Sequence, residues 1–294
     1  MLTITEIRAI LYKMGLRTED ISISAKPFIC TEDGDKCSVL ALTLGGKALV
    51  LKEARKYERE VYSDILNRIH GGVPRLYAAT DHWGKDYLLM ELVDGEAMWH
   101  CTRQSLILTL DALISLQSKF WQDEDAANRA YTYEQSLDKR IARGRYLGDR
   151  ELEAAYAIYL KKYASLPRTL CHDDLLPFNV LISDSQATII DWEVAGILPY
   201  PTSFARLIAH CGEENSAAFS MSSSDREFAV WYYYDSLLRP MGISYDDFHS
   251  ALDAFLFYEY CEVVMLGNKH GATDSPKYKE YYARAKQLAK KLLH

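Results

Sequence analysis

The stretch from residue 172 to residue 193, HDDLLPFNVLISDSQATIIDWE, constrains this chain more than any other. It sets His172, Asp174 and Asn179 on one loop, and a short apolar hairpin then returns a second carboxylate, Asp191. Two carboxylates and an amide at this spacing suit phosphoryl transfer. One carboxylate, Asp174, accepts the proton of an attacking hydroxyl, while an amide and the other carboxylate hold Mg²⁺ against the phosphates. Mg²⁺ takes oxygen ligands in near-octahedral geometry and keeps several waters, so Asn179 and Asp191 suffice as protein ligands. The apolar run Thr188-Ile189-Ile190 reads as a buried strand that fixes the position of Asp191. Each of these residues alone is an ordinary turn residue; the spacing of the set carries the expectation.

The segment LCHDDLLPFNVLI, followed by IIDWE, resembles the signature of the aminoglycoside phosphotransferase and choline kinase superfamily, HGDLxxxN followed by IDWE. Protein kinases share the layout but carry Arg after the His and Phe-Gly after the metal-binding Asp. This chain has Asp173 and Trp192-Glu193 there, and no Ala-Pro-Glu segment follows Asp191. The resemblance implies an α+β, bilobal protein-kinase-like fold, with an antiparallel five-stranded sheet plus helix in a small N-lobe and a larger, mainly helical C-lobe. It implies an ATP- or GTP-dependent O-phosphotransferase, aminoglycoside phosphotransferase-like, that uses Mg²⁺ and acts on a hydroxyl of a small cationic molecule. A choline- or ethanolamine-kinase-like enzyme is the alternative within the superfamily. A catalytically silent nucleotide-binding module is the alternative from another class.

The rest of the chain fits that layout. ISISAKPFIC, the turn TEDGD, CSVLALTL, the turn GGK and ALVLKEA alternate like three antiparallel strands. Residues 54–69 have helical spacing, with Val61, Ile65, Leu66 and Ile69 on one face, and VPRLYAA and DYLLMELV supply two more strands. Helical periodicity follows over Gln104–Trp121, Asp149–Ala164, Arg226–Leu238, Tyr245–Leu266 and Lys277–Leu293, with the catalytic hairpin as the sole interruption. Residues 1–93 are thus expected to form the nucleotide-binding lobe, with a preceding helix and the hinge. Residues 94–294 are expected to form the catalytic and acceptor-binding lobe.

By resemblance, Lys52 in ALVLKEA binds the α- and β-phosphates and pairs with Glu60 of the following helix, Glu58 being the competitor. Met90-Glu91-Leu92-Val93 resembles the hinge, where backbone groups pair with the purine edge. His172 bonds backbone around the loop, and Glu193 lies near the metal or supports the loop. Asp173 stands where the family has Gly. It points away from its neighbour on an extended backbone and faces solvent or contacts a substrate amine. Two departures stand out. The first turn, TEDGDK, has one glycine and no G-x-G-x-x-G, and Asp33 and Asp35 would repel a nucleotide they faced. In GILPYPTSFARLIAH, Ser203 replaces the Asp that commonly supports the catalytic loop, the mark of a divergent or weakened member.

Charge bears on the acceptor. The net charge is −7, yet residues 171–260 hold fourteen acidic residues against Arg206, Arg226 and Arg239, so the remainder is net positive. An acidic segment around the catalytic loop disfavours nucleic acid as substrate and favours a cationic acceptor. The acidic candidates are Glu213, Glu214, Asp235, Glu259 and Glu262. Rings at Trp231 to Tyr234 and from Phe255 to Tyr260 offer a second mode, an aromatic cage for a quaternary ammonium. No run of eighteen apolar residues indicates a membrane span, and six scattered cysteines without a C-x-x-C pair suit a reduced, cytoplasmic protein.

Overall fold

Period-two alternation in the third strand decides what faces the active site. The computed structural model describes residues 2–29, 36–213 and 219–294. The expected turn with Asp33 and Asp35, and Glu214, lie outside the described residues. Strands β1 (Ile23–Ile29), β2 (Lys36–Leu44), β3 (Lys47–Glu53), β4 (Leu76–His82) and β5 (Lys85–Glu91) form one antiparallel sheet in the order β1-β2-β3-β5-β4. Successive side chains of a strand point to opposite faces. Leu49 and Leu51 of β3 therefore share one face with Leu40, Leu42, Tyr87 and Leu89. Helix α1 (Ile4–Lys13) covers that face with Ile7, Ile10 and Leu11, each buried side chain contributing about 2 kcal/mol of apolar stabilisation. A Thr3–Glu6 capping box starts this helix.

The opposite face carries Val50, Leu88 and Met90, which join a core continuous with the C-lobe, and it carries Lys52. The segment expected to be one helix over 54–69 begins later and is less regular. α2 (Glu58–Glu60) runs into a π-turn, Val61–Ile65, and a 3₁₀ turn, Leu66–Arg68. Val61, Tyr62 and Ile65 bury against the sheet across that wider turn.

The C-lobe packs α3 (Arg103–Lys119), α4 (Glu124–Ala127), α5 (Tyr133–Gly144), α6 (Arg150–Ser165), α7 (Pro201–Ala209), α8 (Ser223–Tyr233), α9 (Tyr245–His270) and α10 (Pro276–Leu293). Short strands β6 (Glu96–Ala97), β8 (Val180–Ile182) and β9 (Ala187–Ile189) form a sheet that contains the expected hairpin. That hairpin does not interrupt the helices alone: β7 (Arg168–His172) pairs antiparallel with β10 (Ala195–Pro199). Both are only five residues long, RTLCH and AGILP, too short for a period to declare itself. Helix α7 is buried on nearly every side, so it lacks the polar face that makes a surface helix visible in sequence. Among the described residues no helix is long and apolar enough to cross a membrane.

The β7–β10 ladder anchors both ends of the catalytic segment, with His172 paired to Ala195 and Cys171 to Gly196. Gly196 is required there because a Cβ would sit 1.9 Å from the Tyr131 carbonyl oxygen. Gly196→Ala must displace backbone, and urea unfolding should show a loss of about 3 kcal/mol.

Candidate active site

Hydrogen bonds from three sides hold the loop after β7. His172 is buried; its Nε2 donates to the Ile190 carbonyl at 2.9 Å and its Nδ1 accepts from the Asp174 amide at 3.3 Å. Those partners fix one neutral tautomer, and burial holds the imidazole pKa below its ordinary value. Asn179 Nδ2 donates to the Asp174 carbonyl at 2.9 Å, and the Asn179 carbonyl accepts from the Ile190 amide at 2.9 Å. Ser203 accepts the His172 amide at 2.8 Å. The serine thus supplies a hydrogen bond to the loop itself, which removes the reason to read its presence as weakening.

Asp191 enters from the other side of the hairpin with a φ of +65°, a left-handed conformation that Asp tolerates better than most residues. Its Oδ1 lies 2.6 Å from Lys52 Nζ, which is 2.7 Å from Glu58 Oε1. Glu58 is fully buried, whereas Glu60, the expected partner, is exposed. The correction follows from where the helix begins: at its first position the side chain faces back to β3, and two residues on it faces solvent. Burial works against all three charges. Glu58 and Asp191 overcome it and raise the Lys52 pKa, and Lys52 lowers that of Asp191. Burial prevails at Glu58, whose pKa is raised.

An amide oxygen from Asn179 and the remaining carboxylate oxygen of Asp191 make an oxygen donor pair of the kind Mg²⁺ takes, with phosphates and water completing the shell. Among the described residues no three His, Cys, Asp or Glu side chains converge on a metal position. Glu193 reaches the other lobe, where Lys56 takes its carboxylate, and its carbonyl accepts the Tyr57 amide at 3.3 Å. At the expected hinge, Met90 is buried and the Glu91 amide is bound to the Arg75 carbonyl at 2.9 Å, while Val93 is half-buried.

On the acceptor side the carboxylates are already partnered. Arg206 of α7 places Nη2 and Nε at 2.7 and 3.1 Å from Asp174 Oδ1, and Nη1 at 2.8 Å from Glu259 and 3.1 Å from Glu262. Glu262 also receives Arg143 and the Tyr258 hydroxyl. Asp174 Oδ2 has no such partner among the described residues. Glu213 accepts from the Ser223 amide at 3.1 Å, and Asp235 pairs with Arg239 on its own helical segment. Neither is tied to the loop.

Asp173 corrects another expectation, for it faces the interior. Its carboxylate binds buried Arg140 at 2.5 and 3.3 Å; burial pushes its pKa up, and Arg140 and Lys139 overcome this and hold it low. Arg140 sits between the rings of Tyr163 and Tyr258, 4.6 and 4.7 Å from their centroids. Tyr258, one ring of the aromatic cage suggested for a ligand's ammonium, thus faces the protein's own guanidinium. In the other aromatic run, Tyr233 stacks on Phe204 at 4.3 Å, which is core packing. Sequence reasoning missed Arg140 and Arg206. One signal existed for Arg206, a lone cation in the apolar run SFARLIA.

The sequence profile of the Phosphotransferase enzyme family (APH) matches residues 34–234. No curated protein matches the chain. Among solved structures, a choline kinase from Cryptosporidium parvum Iowa II aligns at 16% identity and TM-score 0.57, covering 99% of this chain and 96% of that one. A choline/ethanolamine kinase family protein from Mesorhizobium loti aligns at 14% and 0.58, covering 97% and 94%. An aminoglycoside phosphotransferase from Alicyclobacillus acidocaldarius aligns at 13% and 0.54, covering 97% and 95%. At such identities these likenesses show the kinase-like fold.

Two outcomes follow. Glu58→Ala leaves Lys52 with one partner and a buried void, and denaturant unfolding should show a loss of about 3 kcal/mol, against less than about 0.5 for Glu60→Ala. The folded pKa of Asp173 lies below its unfolded value, so its contribution is full above the ordinary carboxylate range and fades as pH falls through the depressed value. Asp173→Asn should be less stable at neutral pH, and its unfolding midpoint should depend less steeply on acid below about pH 4.

Proposed function

The chain belongs to the phosphotransferase enzyme family, and from that premise we propose that it moves the γ-phosphoryl group of ATP or GTP to a hydroxyl of a small molecule. One observation carries the reading. Lys52 of the small lobe and Asp191 of the large lobe meet at 2.6 Å, beside a loop that leaves one oxygen of Asp174 open. In this account residues 1–93 bind the nucleotide and residues 94–294 bring the acceptor. Leu92 and Val93 offer backbone groups to the purine, since the Glu91 amide is already used.

The chemistry assigned to the residues is simple. Lys52, held by Glu58, presents its ammonium to the α- and β-phosphate oxygens. Asn179 and Asp191 would hold Mg²⁺, which would supply neutralisation of the phosphate charge. The acceptor hydroxyl donates to Asp174 Oδ2 and passes its proton there as the new P–O bond forms, and the bond from phosphorus to the β-phosphate bridge breaks. Arg206 holds Oδ1, so the carboxylate cannot rotate away, and His172, Asn179 and Ser203 keep the loop backbone in place. A positioned base contributes typically 10²–10⁴-fold.

Ser203 speaks against a catalytically silent module, because it bonds the loop where a missing Asp would have left a gap. Arg140 between Tyr163 and Tyr258 speaks against a choline-type cage at those rings. Asp174→Asn should lower acceptor-dependent ADP or GDP release by about 10²-fold or more and leave nucleotide binding in place. EDTA should abolish release in the wild type. Turnover undiminished in Asp174→Asn would remove Asp174 as the base.

A further inference from the structure

Beyond Asp174 and Asp191, whose side chains are each 40% exposed, the carboxylates that adjoin the catalytic loop are bound by the protein's own cations. Asp173 and Glu259 each have 5% of their side chain exposed, and each is bound to a guanidinium. Glu262 is 15% exposed and shared among Arg143, Arg206 and the Tyr258 hydroxyl. The cations paired with Asp173 and Glu262 reach solvent, Lys139 with 34% of its side chain exposed and Arg143 with 39%. Buried carboxylates and outward cations reverse the sign expected from composition.

Lys139 is the least explained of these. Its nearest carboxylate oxygen, Asp173 Oδ2, is 3.7 Å away and already receives Arg140. Arg143 stands four residues further along the same helix face, an arrangement of like charges that weakens a helix. The ammonium is also partly desolvated. Burial lowers its pKa, Asp173 opposes this, and the positive charges of Arg143, Arg140 and Lys56 lower it further. An arriving amine would meet repulsion from Lys139 and Arg143, and an arriving anion would relieve it.

We propose that the acceptor carries an anionic group, a carboxylate or a phosphate, which Lys139 and Arg143 hold while its hydroxyl meets Asp174. This rests on the phosphotransferase reading. It departs from the polycationic or quaternary-ammonium acceptor that the residue composition suggests. Asp173, Glu259 and Glu262 are occupied and do not greet an amine, and the donors that Lys139 and Arg143 expose match an oxyanion.

The test follows ADP release, with ATP and Mg²⁺, across glycerate, gluconate, glycerol 3-phosphate and glucose 6-phosphate, their neutral parents glycerol and glucose, and choline and kanamycin. Anionic acceptors should turn over with the lowest KM, the carboxylates or the phosphates leading according to which group the site takes. Lys139→Gln and Arg143→Gln should each raise that KM about tenfold, with the KM for ATP unmoved and Lys139→Arg close to wild type. Lys139 helps keep Asp173 ionised, so Lys139→Gln should lower the melting temperature slightly, and its effect on KM is read against Lys139→Arg, which keeps that charge. Lower KM for a neutral or cationic acceptor than for the anions would overturn the inference and leave the phosphotransferase reading standing. So would substitutions that raise the KM for ATP alone. No turnover with any class, in protein that still binds nucleotide, would overturn both.

Discussion

The bond between Lys52 and Asp191 is the contact on which the arrangement depends, because it joins a strand of one lobe to the catalytic hairpin of the other. Strand alternation turns Lys52 toward the cleft along with Val50 and away from the face that α1 covers. Glu58 then fixes the amine from below, buried at the start of its helix. Desolvation opposes all three charges; the attraction to Lys52 offsets it at Asp191 and the two carboxylates offset it at Lys52, whereas burial prevails at Glu58. Asp191 reaches this position with a left-handed backbone, an uncommon conformation for a non-glycine residue and of a kind that gathers at functional sites.

A second charge network shapes the acceptor side. Arg206 ties the base to Glu259 and Glu262, and Arg140 ties Asp173 to a stack of tyrosines. Each arginine is nearly enclosed; Asp173, Glu259 and Glu262 are thereby withdrawn from any ligand, while Asp174 keeps one oxygen open. The planar fork of the guanidinium suits such shared, buried pairing better than an ammonium does. This is why a segment so acidic by composition offers cations at its surface.

The five-stranded sheet and the catalytic hairpin were legible in the sequence because both depend on local signals, alternation bounded by turns and polar residues at fixed spacing. The β7–β10 ladder was not, because its five-residue runs lack a period. Helix α7 escaped because burial on every side erased its polar face. The partner of Lys52 turned on two residues of helix register, which spacing alone does not decide between Glu58 and Glu60. Asp173 was misread for a related reason. Nothing local announces that an arginine thirty-three residues upstream lies against it. Ser203 stood out as a departure, and only the fold shows that its hydroxyl reaches the His172 amide.

The central claim is that Lys52 presents its ammonium to the phosphates while Asp191, through its other oxygen, holds the metal when nucleotide binds. Calorimetric titration of ATP into wild type and Asp191→Asn, with and without Mg²⁺, tests it most directly. The account predicts that Mg²⁺ tightens ATP binding to the wild type and that Asp191→Asn loses most of that gain while still binding ATP through Lys52. Equal gains from Mg²⁺ in both proteins would contradict it.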